Sequence, residues 1–160
     1  AHHDPLTGLP NRAQIEVRLV QAVTTDARSP AAVLFVDLDN LKAINDDLGH
    51  HAGDEALRET ARRLRNSVRD DDFVGRLSGD EFVVLLYGSL DRPALEALTA
   101  RMHGEFDKPI HFGGRLRKVS VSMGVTELSA EDERTVEDIL RDADAAMYRA
   151  KILRAGTSFG

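Results

Sequence analysis

The chain contains no cysteine and no tryptophan, and aromatic side chains make up only 5% of its 160 residues. Without cysteine, a disulfide scaffold, a thiolate-ligated metal and a cysteine nucleophile are all excluded. No apolar run approaches the roughly 18 residues that a membrane-spanning helix needs. The longest are Ala31 to Val36 and Phe82 to Tyr87. No stretch reads as a secretory signal. Positive charge is in the minority: 21 Lys+Arg against 27 Asp+Glu give a formal net charge of −6. That balance argues against a broad nucleic-acid-binding surface, so no nucleic-acid partner is expected. No internal repeat or low-complexity linker divides the chain. What is present, 42% hydrophobic and 30% charged residues, fits one globular domain spanning residues 1–160. The opening Ala1-His2-His3-Asp4-Pro5 reads as the interior of a longer multidomain protein.

Helical and extended patterns alternate. Pro10 to Thr24 carries Ile15, Leu19 and Val23 at four-residue steps, which predicts an amphipathic helix. Ala31 to Asp37 reads as a buried strand. Asn40 to Leu48 reads as a short helix interrupted at Gly49 and Gly53, followed by a second with Leu57, Ala61, Leu64 and Val68 on one face. Asp72 to Leu77 and Glu81 to Tyr87 read as two strands joined in a hairpin at Ser78-Gly79-Asp80. Asp91-Arg92-Pro93 opens a helix carrying Leu95, Leu98 and Met102. Gly113-Gly114 reads as a hairpin turn. Val119 to Val125 alternates apolar with small residues, the pattern of a half-buried strand, and Val136, Ile139, Leu140, Ala143 and Met147 mark a last helix. The interleaving predicts an α/β (α+β) sandwich, a mixed central sheet with helices packed around it.

Acids fall at strand ends and turns. Asp37 and Asp39 close the first strand, and Asp80-Glu81 sit at the hairpin tip. If these strands are sheet neighbours, the carboxylates meet at one edge, where like charges raise one another's pKa unless a cation intervenes. A hard ion such as Mg²⁺ takes a few such oxygens and leaves positions open for phosphate. Solvated turn residues are the competing reading, because Asp favours turns and caps. Between Asp37 and Asp54 a strand turns directly into a helix, whose free N–H groups favour an anion, with Lys42 adding a point charge. Asn45 and Asp54 suit the hydrogen-bonding edge of guanine. From spacing alone, Asp54 ahead of Glu55-Ala56-Leu57 is more simply a helix N-cap. Arg69-Asp70-Asp71-Asp72 reads on composition as a solvated turn. The histidines lack paired ligand spacing, so a zinc site is not expected.

Asp4-Pro5-Leu6-Thr7-Gly8-Leu9-Pro10-Asn11-Arg12, the segment Asp37 to Asp54, and Arg76-Leu77-Ser78-Gly79-Asp80-Glu81-Phe82 resemble successive signatures of the GGDEF domain family. Val119 to Val125 and Ala143 to Lys151 resemble its later blocks, in order and in register over nearly the whole chain. The resemblance implies a fold similar to adenylyl cyclase cores and polymerase palms. It also implies a diguanylate cyclase, which joins two GTP into cyclic di-GMP as a homodimer and releases pyrophosphate. Asp37, Asp80 and the Leu38 carbonyl would then hold Mg²⁺ or Mn²⁺, with Glu81 beside the metal. Asn45 and Asp54 would read guanine. Lys42, Lys151 and backbone amides around Asn40 and Leu41 would hold phosphates, and Ser78 and Gly79 would form the tight turn. Arg69 and Asp72 fall in register with the family's inhibitory product site. Catalysis is then expected in the cytoplasm, where GTP is, within a full protein that would carry an upstream sensory domain, could carry a downstream EAL phosphodiesterase domain, and could be membrane-anchored through other domains. A degenerate member would instead bind GTP or cyclic di-GMP and regulate such a module. This chain departs from the family's pattern at three positions: Ser78 replaces the first glycine of the signature, Leu41 replaces a phenylalanine, and Ala155 stands where an arginine is usual.

Overall fold

One of the two longest apolar runs, Ala31 to Val36, lies within β1 (Pro30–Leu38), the central strand of a five-stranded sheet. The computed structural model of the chain describes residues 2–24 and 30–160, so Ala1 of the opening segment lies outside the described residues. The elements in chain order are α1 (Arg12–Thr24), β1, α2 (Leu41–Leu48), α3 (His50–Ser67), β2 (Phe73–Ser78), β3 (Glu81–Tyr87) and α4 (Arg92–Phe106). There follow β4 (Ile110–Phe112), β5 (Arg115–Arg117), β6 (Val121–Glu127), α5 (Val136–Leu153) and β7 (Thr157–Phe159). The sheet order is β2-β3-β1-β6-β7, antiparallel throughout except for the parallel pair β6 and β7. A separate hairpin, β4 and β5, turns at Gly113-Gly114. This is the expected mixed sheet with helices packed around it.

Strand side chains alternate between two faces. Leu34, Val36, Phe82 and Val84 belong to a core shared with Leu57, Leu64, Leu95 and Met102 of α3 and α4. Val33, Phe35, Val83 and Leu85 pack with Ile15 and Leu19 of α1 and with Ala143 and Met147 of α5. Each such aliphatic side chain removed from water contributes about 1.5–3 kcal/mol before chain entropy is counted. The helix termini are specified locally. Asp91 caps α4, and Thr135 and Asp138 form a reciprocal capping box on α5.

Three sequence expectations need correction. The strand around Val121 is buried on both faces, because α5 covers the side carrying Ser122, Gly124 and Thr126. Its polar groups are satisfied there: Ser122 Oγ donates to Asp39 and Thr126 Oγ1 accepts from Arg134. Only Gly49, with φ 91°, breaks the helical run between Asn40 and Ser67, and Gly53 lies inside α3. Consequently Asp54 is not an N-cap, a position that Gly49 occupies, and its carboxylate is not committed to capping. β7, too short to show a period, was not anticipated; it joins the sheet edge where Met123 N–H donates to the Gly156 carbonyl at 2.8 Å.

Candidate functional site

The β1–β3 register sets Asp37 opposite Glu81, and the Leu38 N–H donates to the Asp80 carbonyl at 3.1 Å. The end of β1 and the tip of the β2–β3 hairpin are therefore one place. On the sheet face covered by α5, the last turn of that helix delivers Lys151. Its ammonium lies 3.1 Å from Asp37 Oδ2, 3.5 Å from the Leu38 carbonyl and 3.7 Å from Asp39 Oδ1. The other Asp37 oxygen, Oδ1, is buried with no hydrogen-bond partner. Burial pushes the Asp37 pKa up to about 6; the charge of Asp80 adds to the shift and Lys151 opposes it. Glu81 accepts a hydrogen bond from the Ser78 hydroxyl. Across from it on α5, Asp144 has a raised pKa, first from burial and then from the charge of Glu81. Among the described residues, Arg154 alone outside glycine has positive φ, so serine at 78 carries no left-handed strain in the signature turn.

A hard divalent cation fits these groups. Asp37 offers an unpartnered buried oxygen and a carboxylate whose ionised form needs a counter-charge, with Asp80 and the Leu38 carbonyl beside it. Among the described residues no three of His, Asp or Glu converge as a complete ligand set. Two carboxylates and a carbonyl suit an ion that keeps its remaining positions for water or phosphate, as Mg²⁺ does.

Asn45 on α2 packs against Gly53 of α3, the residue before Asp54, through a missing side chain. A Cβ added to Gly53 would lie 1.8 Å from Asn45 Oδ1, so the Asn45 carboxamide occupies the space that any other residue at 53 would fill. The first turn of α2 has no side-chain cap. Asn40 instead donates to the Lys118 carbonyl at 2.9 Å and accepts from the Ser120 N–H at 3.3 Å. Amide groups of such a turn favour an anion. Leu41 packs its side chain against the core. The Lys42 side chain is 90% exposed and, among the described residues, pairs only with Asp46, at 3.0 Å, so the structure does not gather it with Lys151.

A cleft of about 520 Å³ opens beside Lys151, lined among others by Asp39, His103, Lys118, Ser120 and Arg154. Arg154, unassigned from sequence, forms the left-handed C-cap of α5 (φ 51°) and shares this cleft. Ala155 lines a neighbouring, shallower one with Thr157 and Phe159. No sequence period marks Arg154, because it lies past the end of the helical pattern.

Arg69 and Asp72 stand apart from these groups, at the start of β2. Asp72 is 6% exposed, and its oxygens accept the Arg69 and Tyr87 N–H groups, each at 3.0 Å. The Arg69 side chain is 61% exposed and its guanidinium donates to the Tyr87 carbonyl. Both residues line a cleft of about 600 Å³ with Leu86, Leu90, Leu98 and Arg101. Arg76, within β2, donates to Asp4 at 3.1 Å and to the Gly79 carbonyl at 2.8 Å. Burial pushes the Asp4 pKa up, but hydrogen bonds from Thr7 and Arg76 outweigh it and hold the carboxyl below its ordinary range.

A family model described as diguanylate cyclase, GGDEF domain, matches residues 1–156. The chain is 44% identical over 158 residues to the diguanylate cyclase DgcP of Pseudomonas aeruginosa, covering 96% of this chain and 22% of that protein. It is also similar to the solved GGDEF domain of TpbB from the same organism, with a TM-score of 0.86 and 40% identity, covering 99% of this chain and 92% of that one. A sensory box/GGDEF family protein from Caulobacter crescentus gives a TM-score of 0.85 and 42% identity, covering 96% and 99% of the two chains. The chain spans about a fifth to a third of the length of the curated relatives it matches.

Proposed function

The chain belongs to the GGDEF domain family, and from that membership we propose that it condenses two molecules of GTP into cyclic di-GMP with release of pyrophosphate. The observation that carries the proposal is the meeting of Asp37, Asp80 and the Leu38 carbonyl at one sheet edge, with an Asp37 oxygen left unpartnered. The naming of relatives such as DgcP and TpbB as diguanylate cyclases supports it.

Asp37, Asp80 and the Leu38 carbonyl would hold Mg²⁺, or Mn²⁺ in its place. When bound, that ion neutralises triphosphate charge and acidifies the ribose 3′-hydroxyl. The residues of the chain do the rest. Asp54 accepts from the guanine N1–H and N2–H, and Asn45, both donor and acceptor, completes the reading of that edge. Lys151, Lys42 and the amides around Asn40 and Leu41 offset the phosphate charge. Ser78 holds Glu81 toward the reacting end, and the turn at Gly79 lets the nucleotide approach the backbone. The 3′-oxygen of one GTP forms a bond to the α-phosphorus of the other as the bond to the departing pyrophosphate breaks. Each domain holds one GTP, so two domains must face one another. An upstream sensory domain is suited to bring them together, and a downstream EAL domain would consume the product. GTP supply places the reaction in the cytoplasm.

Fusing the chain to a constitutive dimeriser and supplying GTP with Mg²⁺ is expected to yield cyclic di-GMP, resolved by chromatography, faster than the unfused chain does. Tight GTP binding without product in the enforced dimer would make this a nucleotide-binding regulatory domain instead.

The cleft beside Arg69 and Asp72 is the proposed site of product inhibition, with the exposed guanidinium of Arg69 as its anion-binding arm. Arg69→Ala is expected to raise the cyclic di-GMP concentration needed for half-inhibition by about tenfold, the loss of roughly one charge-assisted contact. Inhibition unchanged by the substitution removes this cleft from the regulatory scheme.

A further inference from the structure

Lys151 holds a position that its proposed phosphate-binding role does not require. Its ammonium lies against two of the groups that would ligate the divalent ion, Asp37 Oδ2 at 3.1 Å and the Leu38 carbonyl at 3.5 Å, with Asp39 Oδ1 at 3.7 Å. No other cation among the described residues forms an ion pair with Asp37. A carboxylate taken out of water next to a second acid is costly unless a positive charge accompanies it, and here the lysine supplies that charge.

We propose that Lys151 is the resident counter-cation of this ligand set, exchanged for the divalent ion when the ion enters, and that the exchange releases its ammonium toward phosphate. The inference rests on the metal-site reading above. An ammonium on Asp37 Oδ2 and the Leu38 carbonyl leaves an ion at Asp37 Oδ1 within contact range of a second positive charge, and the two repel there, so the ion's entry favours the lysine's departure. Lysine suits the exchange, being a compact charge on a flexible four-carbon stem. Its side chain is 34% exposed, at the end of a helix and beside the cleft of about 520 Å³, so it has somewhere to go. Lys42 has no such post, being paired among the described residues with Asp46 alone. Ion entry and phosphate capture are then coupled, and by linkage each favours the other.

The test is binding of Mn²⁺ to the nucleotide-free protein, followed by water-proton relaxation. Lys151→Met and Lys151→Gln are expected to bind Mn²⁺ about fivefold tighter than the natural chain, the fold-change of one partly exposed ion pair removed from competition. Lys151→Arg, which keeps the charge, is expected to return toward the natural affinity, and Asp37→Asn to abolish the site. Equal or weaker Mn²⁺ binding by both neutral variants overturns the exchange while leaving the metal site standing. Absence of Mn²⁺ binding in every protein, or binding indifferent to Asp37→Asn, overturns the metal-site reading itself and the exchange with it.

Discussion

Asp80→Ala is expected to lower cyclic di-GMP formation by roughly a hundredfold to a thousandfold while leaving the fold as stable as before or slightly more stable. The first half follows from the proposed chemistry. Asp80 is one of two carboxylates offered to the ion, and removing a group that stabilises charge in a transition state commonly costs about 3–4 kcal/mol. The second half follows from the electrostatics of the metal-free protein. Asp80 helps burial raise the Asp37 pKa from 3.8 to about 6. A carboxyl whose pKa is higher folded than unfolded contributes stability below the unfolded value and loses it as pH rises through the folded one. Metal-free protein therefore weakens between about pH 4 and pH 6 on account of this group. Deleting Asp80 removes one cause of the shift and flattens that loss, although burial of Asp37 remains. Chromatographic product assay and urea unfolding at pH 5 and pH 7.5 read the two effects separately. Near-natural turnover in the variant would remove Asp80 from the mechanism. A stability loss of several kcal/mol at pH 7.5 would show that the turn depends on this side chain for its structure.

Gly124→Val is expected to destabilise the chain by at least about 3 kcal/mol, near the upper end of what overpacking a core costs. Intrinsic preference points the other way, because valine favours strands by up to about 1 kcal/mol over residues such as glycine. The clash wins. A Cβ at 124 would stand 2.1 Å from both the Ala143 carbonyl oxygen and the Met147 nitrogen, backbone atoms that cannot rotate aside. α5 would have to lift off β6, exposing Ile139, Ala143, Ala146 and Met147. The expected fall in melting temperature is about 6–12 °C, taking 2–4 °C per kcal/mol for a chain of this size. Because α5 also carries Lys151, the contact with Asp37 would open as well. A melting temperature within a degree of the natural chain would show that α5 sits on β6 less closely than described.

The glycine at 124 also marks where pattern reading stops. Alternation of Val121, Met123 and Val125 with Ser122 and Gly124 identified the strand, but a period of two cannot distinguish a face open to water from one covered by a helix. A glycine within a strand is a sign of close backbone approach, and here it marks α5. Gly53 misled in a comparable way. Glycine disfavours helix interiors and Asp caps helices, so a helix start at Asp54 was the simpler inference. The helix instead runs through Gly53, whose bare Cα leaves room for Asn45. Asp37, Asp80 and Glu81 were legible as a possible cluster because strand ends and a hairpin tip are local features. Lys151 on Asp37 was not, since 114 positions separate them and only the packing of α5 onto the sheet joins them. Residue chemistry allows guanine at Asn45 and Asp54 and an anion near Lys42, but it is the resemblance that assigns those roles, and the inhibitory one at Arg69 and Asp72.

The Arg76 guanidinium clasps the carboxylate of Asp4 with one nitrogen and the carbonyl of Gly79 with another. The first loop and the hairpin tip, far apart along the polymer, accordingly loosen or tighten as one cooperative unit rather than two. Trimming the leading residues as a dispensable appendage would strand a partly buried cation and slacken the very bend on which Asp80 is mounted.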